Sequence, residues 1–242
     1  MKTLLIACTL ALSFHGACLT ALAAEPVRES RAATGFSRIE IDGQADVILR
    51  QGTSEGVTLE ASAQALQNIE TDVHGKTLSI TLTDQRRWWD WVLGGGATRS
   101  PRITIDFINL ERIEAAGSVN FTAAALKSSD LRLDLAGAST LKIGDLQASR
   151  LRVDGSGAIK ADLVGNVAAQ FIDLSGASSY QAGELKSDSA VLQISGAGKA
   201  LINASKSLKV EISGAGAVQY VGDPKLEQEI SGVGKITRRE AP

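Results

Sequence analysis

From about residue 114 onward, apolar and polar positions alternate along the chain, and the alternation restarts around a small-residue cluster at regular intervals. The clusters read "AAGSV" at Ala115, "LAGAS" at Leu135, "VDGSG" at Val153, "LSGAS" at Leu174, "ISGAG" at Ile194 and again at Ile212, and "ISGVG" at Ile230. Indexed on Gly117, Gly137, Gly155, Gly176, Gly196, Gly214 and Gly232, they predict a repeat of close to twenty residues. Two residues before each glycine stand Ala115, Leu135, Val153, Leu174, Ile194, Ile212 and Ile230. Four residues after stand Phe121, Leu141, Ile159, Tyr180, Ala200, Val218 and Ile236. Three before, the column is polar: Glu114, Asp134, Arg152, Asp173, Gln193, Glu211 and Glu229. Period-2 alternation of this kind marks strands with one face in and one face out.

Glycine and serine in every repeat leave no room for a long helix. The expectation is therefore all-β: a right-handed parallel β-solenoid of about twenty-residue coils, with neighbouring coils about 4.8 Å apart. The indexing glycines are assigned to corners, where φ > 0 or close backbone approach is needed and a side chain would push coils apart. They are scaffold and not a phosphate cradle, which needs a single strand–loop–helix. "SRIEIDGQADVIL" repeats the same offsets about Gly43 and reads as an early coil, and "GVTLEAS", "KTLSITL" and "PRITIDF" read as further strands. Residues 35–113 form an irregular β-rich lead-in and 114–238 the regular coils. Together they make one solenoid domain over 35–242, preceded by a flexible segment at 25–34. The charged end, "KITRRE", suits a last coil that must resist stacking on another molecule.

The first residues, "MKTLLIACTLALSFHGACLTALAAE", carry one early cation, an apolar run and a small-residue end, which is the pattern of a secretory signal peptide over 1–24. A membrane anchor is the alternative, but Ser13, His15 and Gly16 interrupt the run. Lipidation at Cys8 or Cys18 fits the surrounding residues poorly. Both cysteines of the chain leave with this segment, so neither disulfide nor thiol chemistry is expected afterwards. No later stretch is apolar for long enough to span a membrane. The chain has 25 Lys+Arg against 27 Asp+Glu, mixed along its length, which argues against nucleic-acid binding.

Three features outside the repeat carry candidate chemistry. Within "DQRRWWDWVLGGGATRSP", residues 84–101, stand all three tryptophans, Trp88, Trp89 and Trp91, beside Arg86 and Arg87. Tryptophan faces stack on sugars or fill a partner's pocket, and arginines pair with carboxylates or phosphates. The competing reading is packing against the solenoid, although adjacent strand residues point to opposite faces and cannot all be inward. Glu211 and Glu229, one coil apart, have nearly the carboxyl separation of a retaining glycosidase. Any stacked acidic column has that spacing, however, and this one faces solvent. His74, in "TDVHGKTL", reads as a turn residue; with no cysteine beside it, no metal cluster or Cys–His pair is expected. No catalytic residue, metal or other cofactor is assigned.

The lead-in "FSRIEIDGQADVILRQG", the "G[AS]G" coils and the closing "YVGDPKLEQEISGVGKITR" together resemble the bacterial family of putative auto-transporter adhesins with a head GIN domain, over roughly Gly35 to Arg238. The resemblance implies a secreted β-solenoid without a known catalytic apparatus. An auto-transporter ends in a membrane barrel of strands; the polar tail here is not one, so any route to the cell surface would depend on something else. The expectation is an exported, non-enzymatic interaction module of the periplasm or outer surface, its partner an envelope glycan, a membrane component or a protein. A carbohydrate-active enzyme working through carboxylates and a purely structural periplasmic protein are the alternatives.

Overall fold

Alternating apolar and polar residues leave each strand with one face to bury, and the chain does so by laying strand upon strand. The computed structural model describes residues 26–83 and 100–240. Residues 1–25, and residues 84–99 with Arg86, Arg87, Trp88, Trp89 and Trp91, lie outside the described residues. The elements are β1 (Val27–Arg31), β2 (Arg38–Gln51), β3 (Gly56–Ala61), a single helical turn α1 (Ala63–Leu66), β4 (Ile69–His74), β5 (Thr77–Leu82), β6 (Arg102–Phe107), β7 (Arg112–Ala123), β8 (Leu126–Asn203), β9 (Ser207–Val221) and β10 (Lys225–Arg238). They form one open sheet in the order β1-β3-β6-β2-β7-β8-β9-β10, with β5 also on β2 and β4 on β5. The protein is all-β. The short α1 is started by Ser62, whose Oγ accepts from the Ala65 N–H.

From β2 onward the pairing is parallel and in register. Arg112 lies against Arg132, Ile194 against Ile212, and Ile212 against Ile230. Like residues therefore stack on like, and each apolar column becomes a continuous ribbon. β8 is far too long for one straight strand, and its successive stretches lie on one another at the glycine column. The lead-in joins the same stack: Ile39 pairs with Ile113 and Gly43 with Gly117. On the other side of β2, two short strands share one layer. β5 covers Arg38–Asp42 and β6 covers Asp46–Gln51. β5 thus ends, and β6 begins, on either side of the point where other layers turn their glycine corner.

The corner column shows why glycine is needed. Gly117 and Gly137 have φ of +103° and +88°. A Cβ on Gly137 would overlap the carbonyl oxygen of Gly117, and one on Gly117 would overlap that of Gly43. One position departs from the sequence expectation. In "VDGSG" the glycine that joins the column is Gly157, with φ +111° and lying on Gly137, whereas Gly155 has no positive φ and faces Ile159 and Leu174. Either glycine satisfies the motif; the layer length that keeps the arches stacked selects the second. This two-residue shift moves Asp154, in place of Arg152, into the acidic column, and Ala161, in place of Ile159, into the column of Tyr180.

That column then makes physical sense. Tyr180, fully buried, falls between the small residues Ala161 and Ala200, which leave the volume its ring fills. Its hydroxyl donates to Gln170 Oε1 at 2.8 Å, and Gln170 Nε2 donates to the Leu185 carbonyl at 3.4 Å. Burial pushes the phenol pKa well up, so the hydroxyl is a neutral donor. Around this pair the interior is aliphatic, running from Ile39 and Ile41 through Leu133 and Val153 to Val210 and Ile212.

Two outcomes follow for stability in urea. Gly137→Ala should cost more than about 3 kcal/mol, because close contact adds to conformational strain. Gly75→Ala, where φ is also positive but the space is open, should cost about 1–2 kcal/mol. Equal losses would show that stacking at the corner is not tight. Tyr180→Phe should lose about 1–3 kcal/mol by orphaning Gln170 in the core, and Tyr180→Phe combined with Gln170→Leu should recover part of it.

Candidate functional site

Outward residues on either side of an acidic column generate the most strongly patterned surface. Three residues before each corner glycine stand Glu40, Glu114, Asp134, Asp154, Asp173, Gln193, Glu211 and Glu229. Two residues earlier on the same face stand Arg38, Arg112, Arg132 and Arg152. Parallel in-register stacking turns these into two ladders, one cationic and one anionic. The arginines reach across layers: Arg112 Nε donates to Glu114 at 2.8 Å and to Asp134 of the next layer at 2.7 Å. Arg132 binds Asp134 at 3.0 Å and Asp154 at 2.9 Å, and Arg152 binds Asp154 at 3.0 Å. The contact with Asp154 raises the Arg152 pKa above its ordinary value. Each such exposed pair contributes at most about 1 kcal/mol, so the ladder orders the face more than it stabilises the fold.

Beside the acids runs an open groove of about 460 Å³. Its floor is small (Ala115, Ala116, Ala136, Gly155, Ser156), and Glu40, Asp42, Glu114, Asp134, Asp154 and Asp173 line it. The sequence reading missed this constellation because it took Gly155 as the corner. An Asp/Glu-x-x-Gly spacing, present in every one of these layers except that of Gln193, is the signal that would have found it.

Glu211 and Glu229 are brought together, directly paired in adjacent strands. Their surroundings are those of a solvated ion ladder. Glu211 accepts from Lys209 Nζ at 2.8 Å and from Gln193 Nε2 at 2.8 Å, and these hold its carboxyl below the usual range, the Lys209 contact most. A general acid needs the opposite shift. His74 closes the β4–β5 hairpin, exposed, with Nε2 2.8 Å from Asp72 Oδ2. Among the described residues no group of three or more His, Cys, Asp or Glu side chains is placed to hold a metal ion.

The tryptophans and Arg86 and Arg87 lie outside the described residues, but the points where their segment leaves and rejoins the stack are defined. A Cβ on Gly43 would meet Leu82, and the Asp46 N–H donates to the Pro101 carbonyl at 2.9 Å. Gln44 Nε2 donates to Ser100 Oγ at 3.0 Å. Both ends therefore sit at the corner column, next to the end of the groove marked by Glu40 and Asp42.

Comparison with known proteins agrees with this architecture. Residues 35–224 match the family described as putative auto-transporter adhesin, head GIN domain. A crystal structure of a putative adhesin from Bacteroides fragilis superimposes with a TM-score of 0.83 at 19% identity, covering 90% of this chain and 98% of that one. A putative lipid binding protein from Parabacteroides distasonis gives 0.67 at 17% identity, with 90% and 98% covered. A putative adhesin from Parabacteroides merdae gives 0.61 at 18%, with 90% and 97% covered. At these identities the likeness is one of fold. No curated protein matches the chain.

The Glu211 environment has a measurable consequence. Because its folded pKa is depressed, its contribution to stability is fully present above the ordinary carboxylate pKa and is lost as pH falls through the lower folded value. Carboxyl titration by NMR should place Glu211 below the ordinary glutamate range, and Lys209→Ala should move it upward. A Glu211 pKa above the ordinary value would reopen an acid–base role.

Proposed function

The chain belongs to the putative auto-transporter adhesin, head GIN domain family, and from that premise we propose that it is an exported, non-enzymatic interaction module of the cell envelope or surface. The observation that carries this reading is the charged face, displayed layer after layer, with Glu40 and Asp173 exposed and Glu114, Asp134 and Asp154 half-buried against its own arginines. Arginine-bridged carboxylates on an open face accept hydrogen bonds from hydroxyls or pair with cations, and none of those lining the groove is buried as an acid catalyst's carboxyl would be. Names given to similar structures, adhesin and lipid binding protein, are those of binding proteins. Among the described residues no helix is long and apolar enough to cross a membrane.

The proposal includes a right-handed parallel β-solenoid of about twenty-residue coils as one domain over 35–242. The parallel registers and the glycine column support it, and the hand follows from the preference of parallel crossovers. It also assigns Trp88, Trp89 and Trp91, with Arg86 and Arg87, to partner contact. The reason is that the described residues on either side of their segment, Leu82 and Ser100, lie against Gly43 and Gln44 at the corner column. The partner is an envelope glycan, a membrane component or a protein; the tryptophan-rich composition of residues 84–101 and the carboxylates of the groove favour the glycan.

The test is binding of the exported protein to an array of envelope and host polysaccharides. Beside it run Trp88→Ala/Trp89→Ala/Trp91→Ala and Asp154→Asn/Asp173→Asn, with circular dichroism as the check on folding. Binding that falls at least about tenfold in both folded variants supports the reading. Release of oligosaccharide products would instead identify an enzyme, and an array with no binder would exclude the glycan.

A further inference from the structure

The two ends of the stack differ in a way that points to a partner. The first end has two outermost strands, both short and antiparallel: β4, six residues on β5, and β1, five residues on β3. β1 carries Arg28, Glu29 and Arg31, and Arg28 pairs with Glu60 on β3. Short, charged and antiparallel, it is a blunted edge. At the other end, β10 is 14 residues long and among the described residues pairs only with β9. One full edge of backbone N–H and C=O groups is therefore open. Its inward positions are uncovered as well. Leu208, Val210 and Ile212 are buried in β9, but Ile230 is 40% exposed; on the outward corner column, where earlier layers carry Gln44, Ser118 and alanines, Val233 is 83% exposed.

The charges on β10 are sorted about its centre. Close to the centre Glu227 and Glu229 precede Gly232 and Lys235 and Arg238 follow it, while Lys225 at the start of the strand is the one cation on the first arm. Gly232 lies near the middle of the strand and is also its corner, with φ +134°. A two-fold axis through that corner maps the first arm of one copy onto the second arm of another and leaves the bend in place. Antiparallel pairing about it sets Glu229 opposite Lys235 of the second copy, twice over, and Glu227 near Thr237 and the basic end. The same operation covers Ile230 and Val233 from both sides and satisfies the open edge. Head-to-tail growth has no matching surface at the blunted β1 end, so the association closes at two.

We propose that β10 is a self-complementary docking edge through which two copies of this chain pair antiparallel about Gly232. The proposal is independent of any glycan bound by the groove, and it places two grooves on one particle, where a surface ligand would be held with avidity.

Sedimentation equilibrium of the exported protein should give twice the monomer mass. Glu229→Lys and Lys235→Glu alone should each raise the dimer dissociation constant by about tenfold or more. Mixing these two variants should restore dimers, because each then supplies the charge the other lacks. Val233→Arg, at an exposed position with no folding role, should also give monomer while keeping the thermal midpoint. A monomeric parent protein overturns the proposal. So does a dimer that tolerates all three changes, or a pair of charge variants that stay apart when mixed.

Discussion

The structure depends on how closely successive layers approach at the glycine column. Parallel strands about 4.8 Å apart can stack straight-sided without difficulty, but a corner brings backbone directly over backbone. At Gly117 and Gly137 there is no space for even a methyl group. Once the corners are stacked, the registers of both flanking strands are fixed, because neither arm can slip without moving the corner. In-register pairing of like residues over β7, β8, β9 and β10 is the consequence. The apolar ribbons, the buried Tyr180–Gln170 pair and the outward ladders all inherit their alignment from it.

The same constraint produces the surface chemistry. A stack that repeats position for position converts any outward residue type into a column, so a modest preference for Asp or Glu before the glycine becomes an acidic ladder. Columns of like charge repel, and the structure answers with arginines two positions away that bridge from one layer to the next. The result is a face of partly exposed carboxylates bridged from layer to layer by arginines. The interruption between β5 and β6 belongs to the same logic. An insertion at the corner column disturbs neither arm, so it can be long without breaking the ribbons.

Much of this was legible in the primary structure. Alternation around regularly spaced glycines identified strands and excluded helices, and the offsets around Gly43 correctly tied the lead-in to the later layers. Legibility failed where two glycines competed. "VDGSG" offers Gly155 and Gly157, and local pattern favours the first, since Val153 matches the apolar column two positions before it. Only the second stacks, and with it Asp154 joins the ladder. Reading Arg152 as a member of the acidic column hid the groove, because the alternation of cation and anion was broken at its middle. The tryptophan segment was conspicuous by composition, and the fold adds that β5 ends and β6 begins on either side of the corner of β2.

The amino-acid sequence by itself determined the strand content, the inward and outward faces and the approximate repeat, because these depend on local periodicity and on glycine's lack of a side chain. The tertiary structure decided which glycine turns a given layer, which charges become neighbours, and which edge is left open on β10. Those are properties of register between segments some twenty residues apart, set by backbone contact across the stack. No local pattern carries that distance information.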